Sequence, residues 1–224
     1  MGATHRRFVC DLVVESGYAC GFPNYTPSPE AHYPVAINQI YESIKWISEH
    51  GNEINVDGKK LAVVGNSVGG NMTLAIALMA KEKNESEIKC LVAMWPVTDA
   101  SMNSPSWKKY GKQWFLTDSL MKWMFDNYSR DNKQRNEIYY SPLQATKEQL
   151  QGFPPTLIEV AENDILRDEG EAMGRLLDEA NVNITTIRFN GVIHDWGLLN
   201  GFAELSETRS LMMFTSAWLK EYLE

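Results

Sequence analysis

Apolar positions along this chain recur in two alternating rhythms. From Thr4 to Ser16, Phe8, Leu12 and Val13 share one side of a helical wheel, with Thr4 placed as a cap and Gly17 as a stop, which predicts a helix. Tyr18 to Phe22 reads as a short strand cut off by Pro23, and residues 24–30 as a proline-bearing loop. From Tyr33 to His50, Ile37, Ile40, Tyr41, Ile44 and Ile47 return at helical spacing, Pro34 suits a first turn and Gly51 closes the segment. Leu61 to Val64 is a compact apolar run that reads as a strand, and the helix formers from Asn71 to Lys81 follow it. Ile88 to Trp95, stopped by Pro96, reads as a buried strand, Thr156 to Val160 as another, and Ile184 to Phe189 as an alternating one. Helices are predicted over Leu166 to Asn181 and Ala203 to Leu223; Asp168, Glu169 and Glu171 fall in the first turn of the former, where the helix dipole favours negative charge.

Strands alternating with helices imply an α/β fold, a mostly parallel sheet flanked by helices. With no repeat, low-complexity tract or linker, residues 1–224 read as a single domain. Residues 97–150 break the alternation and hold a helix from Asp118 to Tyr128 capped by Thr117. They supply candidate cap or lid material. The aromatics Trp107, Trp114, Phe115, Trp123 and Phe125 suit either the lining of an acyl pocket or plain packing.

Composition adds bounds rather than direction. The 224 residues suffice for a sizeable core, and the 44% apolar and 22% charged fractions are those of an ordinary globule. A net charge of −8 argues against nucleic acid or an anionic membrane surface as the main partner. No run is long enough to span a membrane and no signal-peptide pattern opens the chain, so a cytoplasmic location is expected. Cys10, Cys20 and Cys90, odd in number and without metal spacing, read as free thiols buried as small apolar residues. Neither a metal-ligand motif nor a phosphate- or dinucleotide-binding loop is present, and no cofactor is expected.

The chemistry concentrates at three predicted strand ends. Gly65-Asn66-Ser67-Val68-Gly69 fits G-x-S-x-G between a strand and a helix, the pattern of a nucleophile elbow. A nucleophilic serine must stand clear of the backbone on a sharp turn, and glycine at both flanks removes collisions between the incoming strand and the departing helix. Asp164 follows the Thr156 strand and His194 follows the Ile184 strand, and working groups of open α/β sheets sit at such carboxyl ends. His194 is placed to take the Ser67 proton, Asp164 to orient the imidazole, and the Val68 N–H to serve as an oxyanion donor at the helix start. Each has a plainer alternative: Asp164 as a helix cap, His194 as a loop histidine, Ser67 as a turn residue. Asp168 and Asp99 are rival acids, Asp195 sits too close to His194 along the chain to orient it, and His5, His32 and His50 have structural roles open to them.

These segments resemble the hormone-sensitive-lipase-like, or family IV, esterases. Tyr25-Thr26-Pro27-Ser28-Pro29-Glu30 with Pro34 is similar to their Y-x-x-x-P-E…P segment. Gly65 to Gly70 is similar to G-D-S-A-G-G with Asn66 and Val68 as departures, Asp164 to Glu169 matches D-x-L-R-D-E, and His194 stands for the terminal histidine. The order Ser, Asp, His is that of α/β hydrolases. The resemblance implies an α/β-hydrolase fold that hydrolyses short-chain carboxylic esters through Ser67, His194 and Asp164 without a cofactor. The family's H-G-G-G oxyanion loop has no counterpart in the sequence, and the strands up to and including the one feeding it are expected to be missing.

Two classes of function follow. The first is a serine carboxylesterase acting on a small-molecule ester, with another acyl substrate, as in thioesterases, arylformamidases or peptidases, as its variant. The second is a catalytically impaired or purely binding derivative that lacks the usual oxyanion loop; the presence of His194 weighs against it. The oligomeric state, a homo-oligomer included, is left open.

Overall fold

The computed structural model describes residues 2–85, 88–112 and 115–224. Leu61–Asn66, Ile88–Met94, Thr156–Asn163 and Ile184–Ile193 form strands β1 to β4. They lie side by side in chain order, each pair parallel. β1, β3 and β4 run further than their apolar cores suggest, because parallel pairing carries each strand on to the turn that bears its polar residue.

Side chains alternate across the sheet with period two, as pleated strands require. Val63, Leu91, Ala93, Ile158 and Val160 face one apolar cluster. Ala62, Val64, Cys90, Val92, Met94, Leu157 and Ala161 face the other. The first cluster is covered by α2 (Val35–His50), α3 (Val68–Lys83) and α7 (Arg167–Glu179), the second by α1 (Ala3–Ser16) and α8 (Ser206–Leu223). Covering both faces is what lets β2 run apolar from Cys90 to Met94.

Residues 97–150 form α4 (Pro105–Tyr110), α5 (Asp118–Tyr128), two short 3-10 turns and α6 (Lys147–Leu150). The Thr117 side chain caps α5 by accepting from Leu120 N, as expected. Val97, Trp107, Tyr110, Met121, Phe125, Tyr140 and Leu150 merge with the first core cluster. Of the predicted aromatics, Trp107 and Phe125 are therefore packing residues, Phe115 and Trp123 are exposed, and Trp114 lies outside the described residues.

Several local expectations differ from the structure, the first being that Thr4 lies inside α1, whose N-cap is Gly2 with no side-chain cap. Tyr18 to Phe22 forms no strand: Pro23 ends the run and Phe22 stays exposed. Of the three free cysteines only Cys90, inside β2, is buried, while Cys10 and Cys20 are exposed. The last helix begins at Ser206 rather than Ala203, after a 3-10 turn at Asn200–Phe202. Among the described residues no helix is long and apolar enough to cross a membrane.

Candidate active site

β1 ends at Asn66, and Ser67 turns the chain into α3 with φ 54° and ψ −116°. A side-chain-bearing residue at positive φ is strained, and such strain persists only where surrounding contacts impose it. Here Ser67 N donates to Met94 O at 2.9 Å, and Ser67 O accepts from Asn71 N at 3.1 Å and Val97 N at 3.3 Å. Gly65 is obligatory, because a Cβ there would overlap the Gly69 carbonyl and lie 2.7 Å from Thr73 Oγ1. Gly70 is also required, since its Cβ would fall 2.8 Å from Pro96 Cβ. Gly69 differs from expectation: a Cβ there would meet no described atom within 4 Å. The steric demand thus falls on positions 65 and 70.

Register brings the other two residues together. Asn163 pairs with Ile193 at the ends of β3 and β4, so Asp164 and His194 are the first residues past adjacent strands. Asp164 Oδ2 is 2.7 Å from His194 Nδ1, and His194 Nε2 is 3.0 Å from Ser67 Oγ. Asp164 does both jobs that the sequence left open, because its Oδ1 accepts from Leu166 N at 3.0 Å ahead of α7. Asp164 and His194 are both buried. Burial opposes the charged imidazolium, but the Asp164 charge and hydrogen bond, with a further contribution from the Asp195 charge, outweigh it and raise the His194 pKa above its ordinary value. With Nδ1–H donated to Asp164, Nε2 is left as the acceptor facing the serine hydroxyl.

Asp195, set aside on sequence, belongs to this cluster. Its Oδ1 accepts from Trp95 Nε1 at 2.7 Å and Asn66 Nδ2 at 3.2 Å, and lies 3.9 Å from His194 Nε2. The left-handed backbone of Asp195, φ 61°, turns its side chain back toward β1 and β2. The only sequence signal for this trio was adjacency: Asn66 precedes Ser67, Asp195 follows His194, and Trp95 ends the strand predicted from Ile88.

The rival residues lie in other hydrogen-bond settings. Asp168 accepts from Ser106 N and pairs with Arg167, and Asp99 accepts from Gln144 and Ser101. His32 Nδ1 sits against Asn127 O, His50 Nδ1 against Trp46 O, and His5 packs edge-on against Phe22. Val68 opens α3, where first-turn N–H groups lack intrahelical acceptors, and it is exposed. Among the described residues no group of three or more His, Cys, Asp or Glu is placed to hold a metal ion. The arrangement as a whole can move a proton from a strained serine to a polarised imidazole.

Comparison with known proteins agrees with this architecture. The family described as alpha/beta hydrolase fold matches residues 2–198. A putative alpha/beta hydrolase of Acanthamoeba polyphaga mimivirus is 34% identical over 206 residues, 92% of this chain and 60% of that protein. An ethyl acetate hydrolase of Pseudomonas putida is 28% identical over 211 residues, 94% of this chain and 66% of that protein. The crystal structure of a thermostable esterase from Pseudomonas putida superposes with a TM-score of 0.97 at 51% identity, covering 99% of this chain and 69% of that one. The chain therefore spans about 60% of the mimivirus relative's length.

Proposed function

The chain belongs to the alpha/beta hydrolase fold, in its hormone-sensitive-lipase-like (family IV) branch, and on that premise we propose that it is a serine carboxylesterase acting on short-chain carboxylic esters through Ser67, His194 and Asp164. The observation that carries this is the unbroken path from Ser67 Oγ through His194 to Asp164, with separations of 3.0 and 2.7 Å, starting at a strained elbow. Relatives named esterase and ethyl acetate hydrolase favour an ester over other acyl substrates.

These separations support an acyl-enzyme mechanism. Ser67 Oγ attacks the ester carbonyl carbon as its proton passes to His194 Nε2. Asp164 stabilises the imidazolium and keeps the ring oriented without taking the proton. The Val68 N–H, at the positive end of α3, donates to the developing oxyanion. The carbon–oxygen bond to the alcohol then breaks, His194 returns the proton to the leaving alkoxide, and an acyl-serine remains. Water, deprotonated by His194, repeats the sequence and releases the acid. No metal or cofactor enters any of these steps.

Hydrolysis of p-nitrophenyl acetate and butyrate tests the proposal, with Ser67→Ala as control. Turnover well above that control, together with Ser67-dependent labelling by a fluorophosphonate, is expected. Absence of both would leave the fold as a binding protein and overturn the esterase reading.

A further inference from the structure

The segment that follows β2 touches both the serine turn and the first turn of α7, the helix that follows Asp164. Val97 N donates to Ser67 O at 3.3 Å, and Val97 O accepts from Asn71 Nδ2, one helical turn past Ser67, at 2.9 Å. Pro96 lies between two helix starts. A Cβ on Gly70 of α3 would come within 2.8 Å of Pro96 Cβ, and one on Gly170 of α7 would come within 3.7 Å of Pro96 Cδ and 2.9 Å of Val160 Cγ1. On the α7 side the segment is held by Glu169, five residues past Asp164. Glu169 Oε1 accepts from Thr98 N at 2.9 Å and Asp99 N at 3.3 Å, and its Oε2 accepts from Trp107 Nε1 at 2.9 Å.

We propose that residues 96–99 are a rigid spacer between the Ser67 turn and the Asp164 turn, and that Glu169 is the positioning residue that locks this spacer to the acid side. The proposal rests on the esterase reading for its effect on turnover, and on hydrogen-bond geometry alone for its effect on the imidazole. Glu169 is 4% exposed and Thr98 is fully buried, so the bonds from Thr98 N and Trp107 Nε1 are shielded from water. Burial pushes the Glu169 carboxyl up to about 8, whereas its three hydrogen-bond partners, all N–H donors, suit the ionised form. A spacer fixed at both ends transmits position because close-packed interiors yield little. Small misplacements of an orienting group cost rate steeply. The role is distinct from proton transfer, since Glu169 bonds to the spacer and to Trp107 and acts on the reacting atoms only through the spacer and α7.

Glu169→Gln tests this, because an amide presents one acceptor oxygen and an NH2 to three donors and must leave at least one of them facing a donor. The expected result is a folded protein whose kcat for p-nitrophenyl butyrate falls about 10- to 100-fold with KM little changed. Its downfield proton resonance from the His194 Nδ1–H to Asp164 bond, assigned by its loss in His194→Ala, should shift upfield or broaden. Trp107→Phe removes one donor and leaves the backbone anchors, so both readouts should move in the same direction by less. If Glu169→Gln does not fold, Trp107→Phe decides by the same two readouts. An unchanged kcat and an unchanged resonance in the folded variant would overturn the positioning role. If the unsubstituted protein shows no turnover beyond Ser67→Ala, the esterase reading fails, while the resonance still decides the spacer on its own.

Discussion

Asp195 Oδ1 lies 3.9 Å from His194 Nε2, the ring nitrogen that faces Ser67, so this imidazole has a carboxylate at each nitrogen. The Asp195 charge is one of the influences that raise the His194 pKa. A raised histidine pKa keeps the ring protonated, and so unable to act as a base, up to a higher pH. Asp195→Asn retains an acceptor oxygen for Trp95 Nε1 and removes the charge. The acid limb of kcat/KM against pH should then move to lower pH, with the plateau rate changed much less than by loss of Asp164. A limb that stays in place would show that Asp195 acts on Trp95 and Asn66 alone.

Asp164→Asn separates orientation from fold. The Asn oxygen can still accept from Leu166 N, which preserves the entry to α7, but its NH2 then faces His194 Nδ1 and favours the tautomer with hydrogen on Nε2. That tautomer cannot accept the serine proton. A loss of about 10³- to 10⁴-fold in kcat is expected with little change in melting temperature. Steady-state kinetics beside a thermal melt checks both halves.

Gly65 and Gly69 should respond in opposite ways to the same added methyl. Gly65→Ala drives a Cβ into the Gly69 carbonyl, which is backbone and has little room to yield. A cost of about 1–3 kcal/mol and loss of esterase activity are expected. Gly69→Ala places its Cβ in open space on a helix, so the melting temperature should hold or rise slightly. Differential scanning fluorimetry of the two variants distinguishes them directly.

Glu159 ties stability to pH. It sits fully buried on β3, its Oε2 accepts from Thr215 of α8, and its Oε1 has no hydrogen-bond partner among the described residues. Burial pushes its carboxyl up to about 8, against the lowering influence of the Thr215 bond. Between its ordinary value of 4.5 and about 8 the unfolded chain is ionised while the folded chain stays protonated. Stability from this group is full below that window and falls as pH rises through it. Each pKa unit is worth about 1.4 kcal/mol, so the effect on the melting temperature is measurable. Glu159→Gln should melt higher than the unsubstituted protein near the top of the window and show no such gain at its acid end. An equal gain at both ends would assign the effect to packing.

Legibility in the sequence followed the range of the interaction involved. The helix starting at Asp118 and its Thr117 cap were readable because capping is settled within four residues. Ser67 was readable because a strand, a glycine turn and a helix are consecutive in the chain. Tyr18 to Phe22 had strand-like composition but joins no strand among the described residues, and Cys10 and Cys20 lay in apolar-looking runs that the fold left facing outward. Asp195 and Glu169 were unreadable for a different reason. Their significance lies in Trp95 and Asn66 for one and in Thr98, Asp99 and Trp107 for the other, all distant in sequence.

By itself the amino-acid order determined the alternation of strands and helices, and it determined that a serine, an aspartate and a histidine would each close a strand. Local periodicity and turn chemistry suffice for that. Only the tertiary structure decided that Asn163 pairs with Ile193, which makes Asp164 and His194 neighbours, and that Met94 O receives the Ser67 N–H, which holds the serine turn against β2. Strand register and side-chain distances depend on backbone pairing and core packing between segments far apart in the chain, and no window of sequence contains both partners.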